Sequence, residues 1–135
     1  MSPNVLVVDD SRTMCMIVRS VFASMSQWQV STAANGLAAL ELAKKSRFDL
    51  VVTDINMPTM DGLSLVRALR KLDHYADVPV LIITTEDNPN QKKEAADLGV
   101  YAWVHKPVDP QILIELALEL LQDKTNNQEC DPKST

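Results

Sequence analysis

Short apolar runs alternate with stretches of helical spacing along nearly the whole chain, and this alternation limits the fold more than any other feature. It predicts strands at Val5–Val8, Gln29–Thr32, Leu50–Thr53, Val80–Thr84 and Ala102–His105. Helices are expected at Arg12–Met25, Leu37–Lys45, Leu63–Lys71, Gln91–Leu98 and Gln111–Asp123. The punctuation agrees. Asn35-Gly36 and Asp61-Gly62 mark turns, Asn88-Pro89 has the form of an N-cap followed by a first-turn proline, and Gly99 falls where a helix stops. Each strand is too apolar to keep one face in water, so the helices must cover both faces of a parallel sheet. The expected class is α/β, a doubly wound five-stranded parallel sheet.

The bulk properties suit one such domain. The chain has 135 residues, 46% of them apolar, enough for a single core. A net charge of −5 argues against nucleic acid or an anionic membrane as the main contact. The first residues, MSPN, lack the charged and apolar regions of a signal peptide, and Ile112–Leu121, interrupted by Glu115 and Glu119, is about half the length of a membrane span. Cys15 and Cys130 form no metal or disulfide pattern, which fits free thiols in a reducing cytoplasm. Residues 1–122 are read as the domain and 123–135 as a polar tail or linker stub.

Polar residues collect where the strands end. The first strand runs into Asp9 and Asp10, the third into Asp54, the fourth closes on Thr84 and the fifth is followed by Lys106. In a parallel sheet these positions share one edge, and doubly wound sheets bind ligands outside that edge. With strand order 2-1-3-4-5 the four polar ends are contiguous, at about 4.8 Å per strand. Three carboxylates so close cannot all stay ionised without a cation, and Lys106 alone is too little. All-oxygen donors suit a hard divalent ion, most simply Mg²⁺ with several waters. A phosphoryl group fits the rest, with Asp54 as nucleophile, Lys106 and the metal opposite the phosphoryl oxygens, and Thr84 donating a hydrogen bond.

At these residues the sequence resembles the receiver domain of two-component response regulators, in particular the single-domain CheY-like chemotaxis type. Five separated sites carry the resemblance: Asp9-Asp10, Asp54, Thr84, Lys106-Pro107 and the MPTMDG loop, Met57–Gly62. It covers about residues 4–122 and implies a flavodoxin-like fold. It further implies that Asp54 accepts phosphate from the phosphohistidine of a histidine kinase or a histidine phosphotransfer protein. Asp9, Asp10, Asp54 and the backbone carbonyl of Asn56 would bind Mg²⁺, Thr84 and Lys106 would contact the phosphoryl group, and the Lys106–Pro107 bond would be cis. Thr84, Trp103 and Pro107 fall at switch positions. The family usually has Tyr or Phe where this chain has Trp103, and alanine where it has Thr85. Asn56 and Glu86 occupy positions that tune phosphate lifetime in the family.

Rival readings are a Mg²⁺-dependent aspartyl phosphohydrolase and a nucleotide or flavin binder. The first usually has an acid two residues past the nucleophile, where this chain has Asn56, and needs a cap for which there is no room. The second needs a phosphate loop after the first strand, where two carboxylates stand instead. A receiver module of a larger regulator, or a phosphate sink, keeps the mechanism and changes the context. Asp61 reads as a helix cap, Glu86 and Asp87 as rim charges, His74 and His105 as surface groups, and Trp28 and Tyr101 as packing.

On the first helix Met14, Ile17, Val18, Val21, Phe22 and Met25 are expected to face the core, with Cys15, Met16 and Arg19 on the other side, where the family docks its histidine-bearing partner. The last helix is apolar over well over half its circumference, so some of Ile112, Ile114, Leu116 and Leu118 should be exposed. The face of the fourth helix, fifth strand and fifth helix is therefore expected to bind a target or to dimerise.

Overall fold

The structure is a computed structural model of the chain and describes residues 3–24 and 28–125. The elements alternate strictly: β1 (Asn4–Val8), α1 (Arg12–Ala23), β2 (Gln29–Ala33), α2 (Gly36–Lys45), β3 (Leu50–Thr53), α3 (Gly62–Arg70), β4 (Val80–Thr84), α4 (Pro89–Asp97), β5 (Ala102–His105) and α5 (Pro110–Thr125). All strand pairings are parallel, in the order β2-β1-β3-β4-β5. This is the doubly wound sheet that the alternation requires.

Two apolar layers sandwich the sheet because alternate strand residues point to opposite faces. Leu6, Val8, Val51 and Ile82 pack with Leu65, Val66 and Leu69 of α3. Val5, Val7, Val52, Leu81 and Ile83 pack with Val18 and Phe22 of α1 and Leu113 and Ala117 of α5. Trp28 is buried edge-on against Phe22, with ring centroids 5.2 Å apart. β1, β3 and β4 are wet on neither face. β2 departs from the expectation: Gln29, Ser31 and Thr32 are exposed, because an edge strand paired only with β1 is left open on its outer flank.

The helix starts follow from local chemistry. Ser11, Asn35, Asp61 and Asn88 each accept a hydrogen bond from a first-turn N–H, satisfying donors that the helix itself cannot. Asn35-Gly36 therefore opens a helix instead of forming a free turn. Gly99 stops α4 in a left-handed conformation, φ 79°.

The register of α1 also differs from the expected one. Cys15 is buried with Val18, Val21 and Phe22, while Ile17 is 40% exposed and Met14 half-buried. The small thiol packs as a hydrophobe and donates to the Asp9 carbonyl at 3.3 Å, which turns the buried stripe by about one residue and carries Ile17 out. Met16 and Arg19 are exposed as expected, and Met25 lies outside the described residues. Cys130 also lies outside them. On α5, Ile112 and Leu118 are exposed, whereas Ile114 and Leu116 lean on the core. No helix among the described residues is long and apolar enough to cross a membrane.

Candidate phosphoacceptor site

Asp9, Asp54 and Lys106 are each the residue immediately after a strand, and each keeps the ladder going by one more bond. Asp9 N–H donates to Ala33 O (3.1 Å), Asp54 N–H to Val8 O (3.0 Å) and Lys106 N–H to Thr84 O (2.8 Å). Their backbones are thus fixed by the sheet while their side chains emerge at its carboxyl edge. Sheet register, not loop conformation, brings together groups 97 residues apart in sequence.

The Lys106 ammonium sits between two carboxylates, donating from Nζ to Asp54 Oδ2 at 2.8 Å and to Asp9 Oδ2 at 3.1 Å. The other oxygens are also held: Ile55 N–H donates to Asp54 Oδ1 (2.6 Å) and Ser11 N–H to Asp9 Oδ1 (2.9 Å). Asp9, Asp54 and Thr84 are buried, whereas Asp10 is exposed. Burial raises the Asp9 pKa above its ordinary value against the Ser11 and Lys106 hydrogen bonds, which favour the charged form. For Lys106 burial acts to lower the pKa, but the hydrogen bonds and charges of Asp54 and Asp9 prevail and raise it.

Carboxylate oxygens of Asp9, Asp10 and Asp54 all lie within 4.8 Å of one another. A hard-oxygen set with one cation against three acids fits a divalent ion such as Mg²⁺. Thr84 Oγ1 accepts the Glu86 N–H at 3.2 Å. The Lys106–Pro107 bond is cis, and Trp103 is half-buried.

The loops around the pocket are joined in a way that sequence reading missed. Glu86, read as a rim charge, has its carboxylate held by Asn56 Nδ2 at 3.0 Å, and its carbonyl accepts the Trp103 indole N–H at 3.3 Å. Thr85 is exposed. Gly62 also matters more than as turn punctuation: a Cβ there would stand 2.0 Å from the Asp54 carbonyl oxygen, so α3 approaches the Asp54 backbone as only glycine allows. Asp61 caps α3 through the Ser64 N–H and is not in the cluster. His74 and His105 are both exposed; Arg47 donates to His74 Nδ1, and His105 Nδ1 lies 2.6 Å from the Lys106 carbonyl.

Comparison with known proteins agrees with this geometry. The family described as "Response regulator receiver domain" matches residues 5–118. The chemotaxis protein CheY of Pseudomonas aeruginosa is 36% identical over 122 residues, covering 90% of this chain and 98% of its own length. The "Probable transcriptional regulator ycf29" of Porphyra purpurea is 33% identical over 95% of this chain, which spans only 61% of that protein. Among solved structures, the chemotaxis protein CheY4 of Vibrio cholerae superposes with a TM-score of 0.82 at 36% identity, covering 89% of this chain and 99% of that one. With the sheet order, the acid cluster and these similarities in agreement, the chain belongs to the response regulator receiver domain family and is CheY-like.

Proposed function

We propose that this domain is a phosphorylation-driven switch whose acceptor is Asp54. The observation that carries the reading is the Lys106 ammonium held between Asp9 and Asp54 at the sheet edge, with Asp10 beside them. Such a constellation holds an anion only after its own negative charge is offset.

Asp9, Asp10, Asp54 and the Asn56 carbonyl would hold Mg²⁺, which supplies positive charge against the phosphoryl oxygens. The protein's own groups do the rest. An Asp54 carboxylate oxygen forms the bond to phosphorus as the P–N bond of the donor's phosphohistidine breaks, and the electron pair returns to the imidazole. Lys106 is already within hydrogen-bond reach of Asp54 and neutralises charge without reorganising, and the Thr84 hydroxyl would donate a hydrogen bond to the new group. Hydrolysis of the acyl phosphate is slow resetting, not turnover of a substrate.

The donor is a histidine kinase or a histidine phosphotransfer protein in the cytoplasm. The acceptor is read out on the face of α4, β5 and α5, where Ile112 is 45% exposed and Trp103 is tied to the Glu86 loop that follows Thr84. That face takes a protein target or a second copy of the chain. The same chemistry serves whether the domain acts alone, as a phosphate sink, or within a longer regulator.

The test is incubation with Mg²⁺ and acetyl phosphate, comparing the native chain with Asp54→Asn. An acid-stable, base-labile phosphate on the native chain and none on the variant is expected. Label persisting on the variant refutes the assignment, and repeated turnover of a phosphomonoester would mark an enzyme instead.

A further inference from the structure

The two ends of α4 are fastened very differently. Of its nine residues only Ala95 is buried, so apolar packing does little to fix the helix. At the C-terminal end, Gly99 N–H bonds to Ala96 O and Val100 N–H to Ala95 O, both at 3.0 Å, closing the last turn. Onto this closed end reaches Arg70 of α3. Its Nε donates to Leu98 O (2.9 Å) and its Nη2 to Gly99 O (3.3 Å), while Nη1 donates to Tyr75 O (2.9 Å) and Val78 O (2.7 Å) in the segment leading to β4. A single rigid guanidinium fork thus binds the end of α4 to the approach of the central sheet.

The N-terminal end has no such anchor among the described residues. Its cap, Asn88, bonds only within the helix, and the Lys92–Asp87 ion pair is equally local. Gln91 Oε1 is enclosed without a partner. The mid-helix Arg67–Glu94 pair is half-exposed, and pairs in water hold weakly. The links to other elements are the Lys92 ammonium, at the outer limit of a cation–π contact with its Nζ 6.0 Å from the centre of the Trp103 ring, and the preceding loop, where Glu86 meets Trp103, Asn56 and Thr84. Between α4 and β5 lies a groove of about 350 Å³, lined by Lys92, Ala95, Ala96, Val100 and Trp103 among others.

We propose that α4 is a lever pinned at its C-terminal end by Arg70, so that its N-terminal turns unfasten and swing while the last turn stays closed, which sets the width of the groove against β5. The swinging end is the one joined by residues 85–88 to Thr84, and the pinned end is the one remote from the acid cluster. That the swing is driven from Asp54 rests on the switch reading; the lever itself does not. Arg70 is a positioning residue, acting on the docking face through the backbone carbonyls it holds.

Native-state hydrogen exchange on the full, unphosphorylated chain tests this. The amides of Lys92, Lys93 and Glu94 should exchange at least about tenfold faster than those of Leu98, Gly99 and Val100, through an opening that depends little on urea. In Arg70→Met the exchange of Leu98–Val100 should rise to the level of Lys92–Glu94, while Val51 and Val52 of β3 follow only the change in global stability. Arg67→Met should leave the gradient in place. Even protection along α4 in the native chain, or Arg70→Met moving α4 and β3 together, overturns the lever. The native profile decides even if Arg70→Met folds poorly. A chain that fails to take phosphate yet keeps the gradient would count against the switch reading alone.

Discussion

Lys106→Met should expose how strongly the acid cluster depends on its internal cation. The ammonium lies 2.8 Å from Asp54 and 3.1 Å from Asp9, with side chains only 16%, 9% and 6% exposed. Met keeps much of the stem's volume and removes the charge, leaving two buried carboxylates facing each other beside Asp10. Breaking a buried pair by deleting one partner costs about 3–5 kcal/mol, because a charge is left without compensation. The total stability of a domain this size is about 5–15 kcal/mol, so the variant should still fold. Urea unfolding followed by circular dichroism at pH 7 in EDTA would measure the loss. Two controls identify its origin. In an Asp54→Asn background the same substitution should cost about 1.5–3 kcal/mol less, since one of the two stranded charges is already gone. Titrating Mg²⁺ should restore stability to Lys106→Met progressively with concentration, because a cation that binds only the folded cluster replaces the missing charge. A loss under about 0.5 kcal/mol, or one unchanged in the Asp54→Asn background, would refute the claim that Lys106 holds the cluster together.

Gly62→Ala should cost more than the usual ~1–3 kcal/mol of overpacking, because the obstacle 2.0 Å away is the Asp54 carbonyl and backbone cannot rotate aside; urea unfolding reads the loss, and phosphate uptake from acetyl phosphate should fall with it. Tyr75→Phe removes a hydroxyl that donates to Ser46 O (2.7 Å) and accepts from Phe48 N–H (3.1 Å), for a loss of about 1–3 kcal/mol at pH 7. Burial raises the Tyr75 pKa above its ordinary 10.0, so the phenol's contribution is full below that pH and lost as pH rises through the folded-state value; native stability should drop there, and the Phe variant should lack that drop. Ser11→Ala should lower stability by about 1 kcal/mol through the lost Met14 N–H cap, measurable in the same urea titration.

The acid cluster was legible in the sequence because its placement depends on features that a sequence carries directly. An apolar run of four or five residues fixes where a strand ends, and in a parallel sheet every carboxyl end lies on one edge. Asp9, Asp54 and Lys106 needed no tertiary knowledge beyond that, since each sits one residue past its strand and is held by a continuing ladder bond. The caps at Asp61 and Asn88 were readable for the same reason: cap and recipient are three residues apart or fewer. What escaped was whatever depends on how two elements meet. Cys15 and Ile17 exchanged places because the pitch of α1 against the sheet is set by packing that helical spacing leaves free to within about one residue. The exposure of β2 follows from its place at the edge together with Gln29, Ser31 and Thr32, polar residues that set it apart from the aliphatic runs of the central strands.

Arg70 shows the limit most clearly. In sequence it is one more basic residue near a helix end, where Lys and Arg commonly offset the helix dipole. Its four acceptors are backbone carbonyls at Tyr75, Val78, Leu98 and Gly99, and carbonyls have no side-chain identity to read. The same holds for Trp103 on the Glu86 carbonyl and for Gly62 against that of Asp54. Side chains that meet other side chains at a strand end leave a sequence signature, and side chains that hold backbone do not. The chemistry of this domain belongs to the first kind. The contacts that position α4, and with it the face that would read out the chemistry, belong to the second, so relatives can share the acid cluster while differing in how firmly α4 is pinned.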